Sequence, residues 1–353
     1  MTATDILGGV PGQRVEDIRV EVLDQDGNLT ATTTPSAAGT VSFDPTNRIT
    51  RQWSGVEFHP TEAASLTAGV HRLRPVFVLA TGDEYSLGVF LYLGGDEQER
   101  PGGTWVRAST MPDRSYQLDK SLSDDYGVTY GGLLTDVIDD MTAASGLTAS
   151  TITASTATCA TYPAWAAGDS KRLEICDWAT DLLGYLPVHF DAAGSLIARP
   201  IPVPSDEWPD HVYEPGQNAV VHADTVVTTS NVARRPNVYL VRSTAPTGTQ
   251  VSGRYDVPTD QPNSVATIGY EDPIRFNIDG LATDADCDLV AFRLAQRHQR
   301  VVRTVTFDAM PDPRHDAWGI VEWSGERMLE VAWSLDLTPG GPHRHTIQTV
   351  YEA

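Results

Sequence analysis

Residues 169–202 read DSKRLEICDWATDLLGYLPVHFDAAGSLIARPIP, and this stretch carries the clearest pattern in the chain. Asp169 or Ser170 is placed to cap a helix by accepting bonds from its first unpaired amides. Leu173, Cys176, Ala179, Leu182 and Leu183 recur mostly at three- and four-residue steps, which predicts a helix over 169–184 with one apolar face. Gly184 marks its end, because glycine enters the left-handed conformation without a steric penalty. A strand over 185–190, a turn at 191–194 and a second strand over 195–201 then form a hairpin, 185–201, which Pro200, Pro202 and Pro204 bring to a close. A helix lying on a two-stranded ribbon buries both apolar faces. The unit is built for packing and holds no pair of residues poised for bond chemistry.

Outward from this unit, a second helix is expected over 131–145, with Leu133, Leu134, Val137, Ile138 and Met141 on one face and Asp136, Asp139 and Asp140 on the other. The Ser/Thr/Ala-rich run 147–161 reads as extended chain or loop, and the Pro-rich run 200–216 as a linker. Together these make an α+β insert, 124–216. Before it, 14–123 alternates apolar and polar residues between turn signals at Asp26-Gly27, Gly82-Asp83 and Pro112-Asp113, which predicts an antiparallel barrel or sandwich. After it, 217–353 returns to strands, with a long Pro/Gly/Thr/Asp-rich excursion at 244–275 and one helix over 283–300. Thr283 and Asp286 form its capping box. Asp284, Asp286 and Asp288 face its positive end, and Arg293, Arg297, His298 and Arg300 its negative end. Residues 1–13 form a small, Gly-rich arm. The fold class is therefore mainly β with an α+β insert: two antiparallel barrel-like or sandwich domains around a small helix-and-hairpin domain.

The length, 353 residues, suits two or three domains, and 41% hydrophobic with 20% charged residues is globular rather than disordered. The net charge of −22 repels phosphate backbones and anionic lipid, so neither nucleic-acid recognition nor membrane binding is expected. The first residues lack the basic start and apolar run of a signal peptide, and no stretch approaches the ~20 apolar residues of a membrane helix. Synthesis in the cytoplasm as a soluble chain is expected. Cys159, Cys176 and Cys287 are too few and too scattered for a disulfide framework, although a Cys159–Cys287 bridge stays open. Cys176 reads as buried filler.

Chemical candidates are weak against ordinary alternatives. Asp24, Asp26 and Asn28 around Gly27 faintly resemble a calcium loop. The glycine falls at the wrong position, however, and Pro35 stands where the closing acid belongs, so a tight hairpin turn is expected. His343 and His345 are two apart and point the same way on a strand, which is metal-ligand spacing. His315 and Glu352 are available as further ligands, but nothing in the sequence fixes their distance, and exposed histidines on a late strand need no special role. The acid pairs Asp124-Asp125 and Asp139-Asp140 do not face each other across a cleft, as glycoside hydrolysis requires. No GxSxG, HExxH, GxGxxG or GKS/GKT sequence is present. The eight tryptophans are spread along the chain, which favours packing over a sugar-binding platform. No catalytic, cofactor-binding or metal residue is assigned, and no enzyme activity or cofactor is expected.

The layout resembles the tail-hub (baseplate hub) proteins of long-tailed bacteriophages, often called minor tail proteins in phages of actinobacteria. The resemblance is carried by LEICDWATDLLGYLPVHFDAAGSLIARPI (173–201), NVYLVRS (237–243), VAFRLAQRHQRVVRTVTF (290–307) and the closing WSLDLTPGGPHRHTIQTVYE (333–352). It implies a structural virion component at the tail tip: a homotrimeric ring with two similar β domains per subunit, adapting a six-fold tube to a three-fold tip. It also implies partners in the distal tail protein ring, the tail tube, the tape-measure C-terminus and tip or fibre proteins, and a passage for ejected DNA. Many such proteins carry a C-terminal enzyme. This chain stops after the β domain, so a bare hub is expected. The rival expectations are a tail-associated cell-wall hydrolase and a carbohydrate- or receptor-binding tail module.

Overall fold

The computed structural model of the chain describes residues 17–79, 81–101, 103–159, 162–214, 221–230, 236–245, 248–278, 280–299, 301–338 and 341–350. The arm 1–13 and Glu352 lie outside the described residues. As expected, the fold is mainly β with few helices.

The first helix of the opening unit runs Arg172–Leu183 and stops at Gly184, which has φ 70°. Its N-cap is Lys171 rather than Asp169 or Ser170, because the Glu174 carboxylate turns back to accept the Lys171 N–H at 3.3 Å and so fixes the start. Leu173, Cys176 and Ala179 are buried as the spacing requires, with Ile175 beside them. They pack on the helix Leu134–Ala144 and on the hairpin strands His189–Phe190 and Leu196–Ala198, which form one core. Ser150–Ile152 adds a parallel strand to that hairpin. The hairpin turn docks on the N-terminal segment: Ser86 Oγ donates to Ala192 O at 2.5 Å, and Gly194 sits where a Cβ would lie 2.8 Å from Val89.

The N-terminal segment forms a sheet in the order Leu29–Thr33, Asp17–Leu23, Arg72–Val78, Glu84–Ser86, with Phe90–Leu91 also on Arg72–Val78. A second, three-stranded sheet joins Glu57–Phe58, Gly103–Ala108 and Gly95–Arg100 in that order. Residues 95–100 are all exposed, so this strand lacks the alternation that marks the others.

The larger finding is a nine-stranded sheet that crosses the expected boundary at 123. Thr40–Phe43 pairs with Glu326–Asp336, which continues to His343–Val350, Val301–Ala309 and Val227–Ser230. Arg51–Ser54 and Met111–Pro112 extend the other side. Trp333, Leu335 and Ala317 accordingly share a core with Val20, Phe43 and Trp53. The first and last β segments thus share a sheet and a core. His211–Tyr213, read as part of a linker, is a strand of the same sheet, parallel to Ile320–Trp323.

The excursion 244–275 also differs from its expectation. It contains the strand Gln250–Asp256 and the start of Pro273–Asn277, both paired with Val238–Thr244. Gly253 explains why the pattern was faint. The helix Asp284–Gln299 lies against its backbone, and a Cβ there would stand 2.2 Å from Asp288 N. Asp284 and Asp288 accept the edge amides of Ser252 and Arg254 at 2.8 and 2.9 Å, so the helix covers a strand edge that would otherwise expose its donors. Thr283 and Asp286 form the expected capping box.

Candidate functional site: a buried histidine–carboxylate cluster

The strand His343–Val350 alternates inward and outward, and Ile347 fixes the phase. His343, His345 and Ile347 all face inward with no exposure, while Arg344 faces out and pairs with Asp308 at 2.8 Å. The expectation of exposed histidines is therefore corrected, because the apolar residue two positions on sets their side of the sheet. The neighbouring strand Glu326–Asp336 carries Met328 and Glu330 inward, slips register between Glu330 and Ala332, and continues with Trp333 and Leu335 inward. That irregularity places Glu330, wholly buried, beside the two histidines. The connection between Val301–Ala309 and Ile320–Trp323 supplies Asp312 and His315. The strand His211–Tyr213 supplies His211 and Tyr213.

Glu330 is the centre of this group. Its Oε2 lies 2.5 Å from His315 Nδ1 and its Oε1 2.6 Å from His345 Nδ1. The other nitrogen of His315, Nε2, is 2.8 Å from the Tyr213 hydroxyl. His343 Nδ1 accepts from Asp312 N at 3.4 Å. His343 Nε2 and His345 Nε2 are buried without a hydrogen-bond partner. His211 stacks on His315 with centroids 3.6 Å apart, and its Nδ1 stands 3.4 Å from Asp312 Oδ2, without hydrogen-bond geometry. Asp312 is otherwise committed to Arg314, at 2.9 and 2.8 Å. The cluster joins two apolar cores: His343 meets Trp333 edge-on, and His345 packs on Tyr213 and Phe307.

Burial dominates the electrostatics. It holds His315 and His343 well below the usual imidazole range and His345 down at about 4, against the pull of Glu330. It raises Glu330 and keeps the Tyr213 hydroxyl protonated. Asp312 also feels burial, yet the nearby His211 ring and the bonds from Arg314 outweigh it and hold the carboxylate well below its usual range. The result is a set of neutral imidazoles able to donate to carboxylates or ligate a cation. Two overlapping triads have metal-ligand proximity, His315–His343–His345 and His211–Asp312–His315, each with its ligand atoms within 4.8 Å of one another.

The other sequence candidates do not assemble. Asp24 closes its hairpin by accepting from Asp26 N and Asn28 N at 2.9 Å, with Gly27 at φ 87°. Asp139 and Asp140 are exposed, and Asp140 accepts from Tyr126 at 2.8 Å. Asp125 accepts from Ala167 N at 2.8 Å. Trp53, Trp323 and Trp333 are core residues, whereas Trp208 is 87% exposed. Two tryptophans do meet in an open groove of about 660 Å³ between the helix Arg172–Leu183 and Asn277, Ile278 and Gly280. There Trp165 and Trp178 pack edge to face beside Asp177 and Asp181. Glu330, Tyr213, His211 and Asp312 were missed in the sequence. Glu330 had one signal, its place two residues after Met328 on an inward phase.

The assembled fold is similar to that of several phage tail proteins of known structure. The chain is similar to the tail protein from Neisseria meningitidis MC58 (TM-score 0.62, 10% identity, 94% of this chain and 96% of that one). It is similar to the same extent to the 43 kDa tail protein of prophage MuSo2 from Shewanella oneidensis (TM-score 0.63, 10% identity, 94% and 98%). Prophage tail protein gp18 from Listeria monocytogenes EGD-e shares the fold less closely (TM-score 0.55, 11% identity, 94% and 94%). No protein-family model and no curated protein matches the chain.

Proposed function

We propose that the chain is a structural component of a phage tail, and specifically the hub: a homotrimeric ring at the distal end of the tail tube. The observation that carries this reading is the end-to-end correspondence with tail proteins, 94% of this chain against 96% and 98% of two of them. In the ring, three subunits each with two β segments present six platforms to the tube and three to the tip. The neighbours are the distal tail protein, the tube, the tape-measure C-terminus and tip or fibre proteins, as in hubs of actinobacterial phages. The charge of −22 suits a passage for DNA, since an acidic wall releases no counterions from the phosphates and so does not retain them. The exposed strand Gly95–Arg100, with Asp96, Glu97 and Glu99, is a natural contact surface. Electron microscopy of the particle is expected to find three copies at the tail tip. One copy or six would sink the ring.

A second reading has one observation in its favour. The Trp165–Trp178 groove pairs aromatic faces with carboxylates, the chemistry of a saccharide subsite. Glycan titration with tryptophan fluorescence separates the two: quenching abolished by Trp178→Ala supports binding, and no quenching leaves the hub alone.

A further inference from the structure

We propose that His315, His343 and His345 form a structural site for a first-row transition-metal dication, zinc in first place, ligated through ring nitrogens, with Glu330 as the carboxylate that orients two of the rings. The Glu330 oxygens lie 2.5 and 2.6 Å from Nδ1 of His315 and His345, and assigning both Nδ1 protons to these contacts leaves each Nε2 as a lone pair. A carboxylate behind an imidazole in this way is how metal-binding histidines are held in the ligating tautomer. His345 Nε2 has no partner and neither has His343 Nε2, although both are buried and the two ring centroids are 4.0 Å apart. Each such orphan costs about 1–3 kcal/mol. One cation between them satisfies both.

His315 completes the set, with its ring nitrogen within 4.8 Å of the other two. Nitrogens around a tetrahedral ion with ~2.0–2.1 Å bonds stand about 3.4 Å apart, so ring rotations of the order of 1 Å close the site. His315 Nε2 exchanges its bond to Tyr213 for the metal, and the Tyr213 oxygen is left beside the fourth position. His343 keeps one proton, which ligation at Nε2 places on Nδ1 at the expense of the long 3.4 Å contact to Asp312 N. The overlapping triad with Asp312 is the poorer choice, because Arg314 already occupies both Asp312 oxygens and brings a positive charge to the same place. Three imidazoles select zinc, nickel, copper or iron over magnesium and calcium. Since His315 sits on the connection between two strands and His343 and His345 on a third, the ion staples that connection to the sheet. Full burial means that it enters as the connection closes and exchanges slowly.

The test uses the full chain without an affinity tag, expressed with zinc and passed through gel filtration. Elemental analysis is expected to show one zinc per chain. Stripping with a chelator lowers the thermal midpoint by about 5 °C or more, and zinc restores it. Cobalt introduced in its place shows the intense visible bands of four-coordinate nitrogen ligation. His343→Gln and His345→Gln lose the metal, whereas His222→Gln, at an exposed position, keeps it. If the two cluster variants do not fold, the metal content and cobalt spectrum of the wild-type chain decide. Wild-type protein that carries no metal and gains no stability from zinc overturns the proposal, as does metal retained in both cluster variants.

Discussion

His189 is buried at the head of the insert hairpin, where its Nδ1 lies 3.0 Å from Pro187 O. Burial pulls its pKa down to about 4, and the nearby Arg199 adds to the fall. An unfolded histidine takes a proton near pH 6.5, so the unfolded chain binds more protons between that pH and 4. The stability from neutral His189 is full above pH 6.5 and drains as pH falls toward 4, by about 1.4 kcal/mol per pH unit. Asp113 works in the opposite sense. Burial lifts it to about 6, so its contribution is full below its unfolded value and is lost as pH rises through 6. Urea unfolding at pH 5 and 7 should show a smaller acid loss in His189→Asn than in the native chain, and an equal loss would discount the histidine. Gly253 offers a steric case: Gly253→Ala drives a methyl into the backbone of Cys287 and Asp288 and should cost about 3 kcal/mol in chemical denaturation. Of these residues the sequence marked only Asp113, as part of a turn signal, while Gly253 fell within the Pro/Gly-rich run 244–275. Close approach between backbones leaves no trace in a hydrophobic pattern, and neither does burial of one histidine.

At the scale of elements, the helix Arg172–Leu183 was legible because three signals agreed: apolar spacing, a polar start and a terminal glycine. Gly184→Ala should lower stability by about 1 kcal/mol, read as a shift in thermal midpoint, since alanine must hold φ 70°. An unchanged midpoint would mean that the cap contributes nothing. The strands Gly95–Arg100 and Gln250–Asp256 were illegible for two different reasons. The first has no buried residue, and the second packs through a glycine and an edge. The cluster was half legible. The spacing of His343 and His345 placed two rings on one face, but the sequence could not bring in His315 from a connection or Glu330 from across a register slip. Those positions depend on how two strands pair, and pairing partners are not written in either strand alone.

Across the whole molecule, Arg51 ties all three segments. It comes from the N-terminal part, is 1% exposed, and pairs with Asp316 of the C-terminal part. The second oxygen of Asp316 accepts from Ala192 of the insert at 3.4 Å, and the guanidinium also lies 5.5 Å over Trp333. Arg51→Met should cost about 2–4 kcal/mol, less than the ~3–5 of breaking a fully buried pair, because solvent reaches the Asp316 carboxylate, 43% exposed. Unfolding of the native chain should be one transition by both tryptophan fluorescence and circular dichroism. Separate transitions for the two signals would show that the shared sheet does not couple the segments.

That shared sheet bears on how the polypeptide is made. The edge presented by Thr40–Phe43 stays bare until Glu326–Asp336 has left the ribosome. Pairings this distant along the chain are slow to form and leave the early strands open to wrong partners in the meantime. Synthesis at high level therefore puts the greatest demand on chaperones before the last strands emerge.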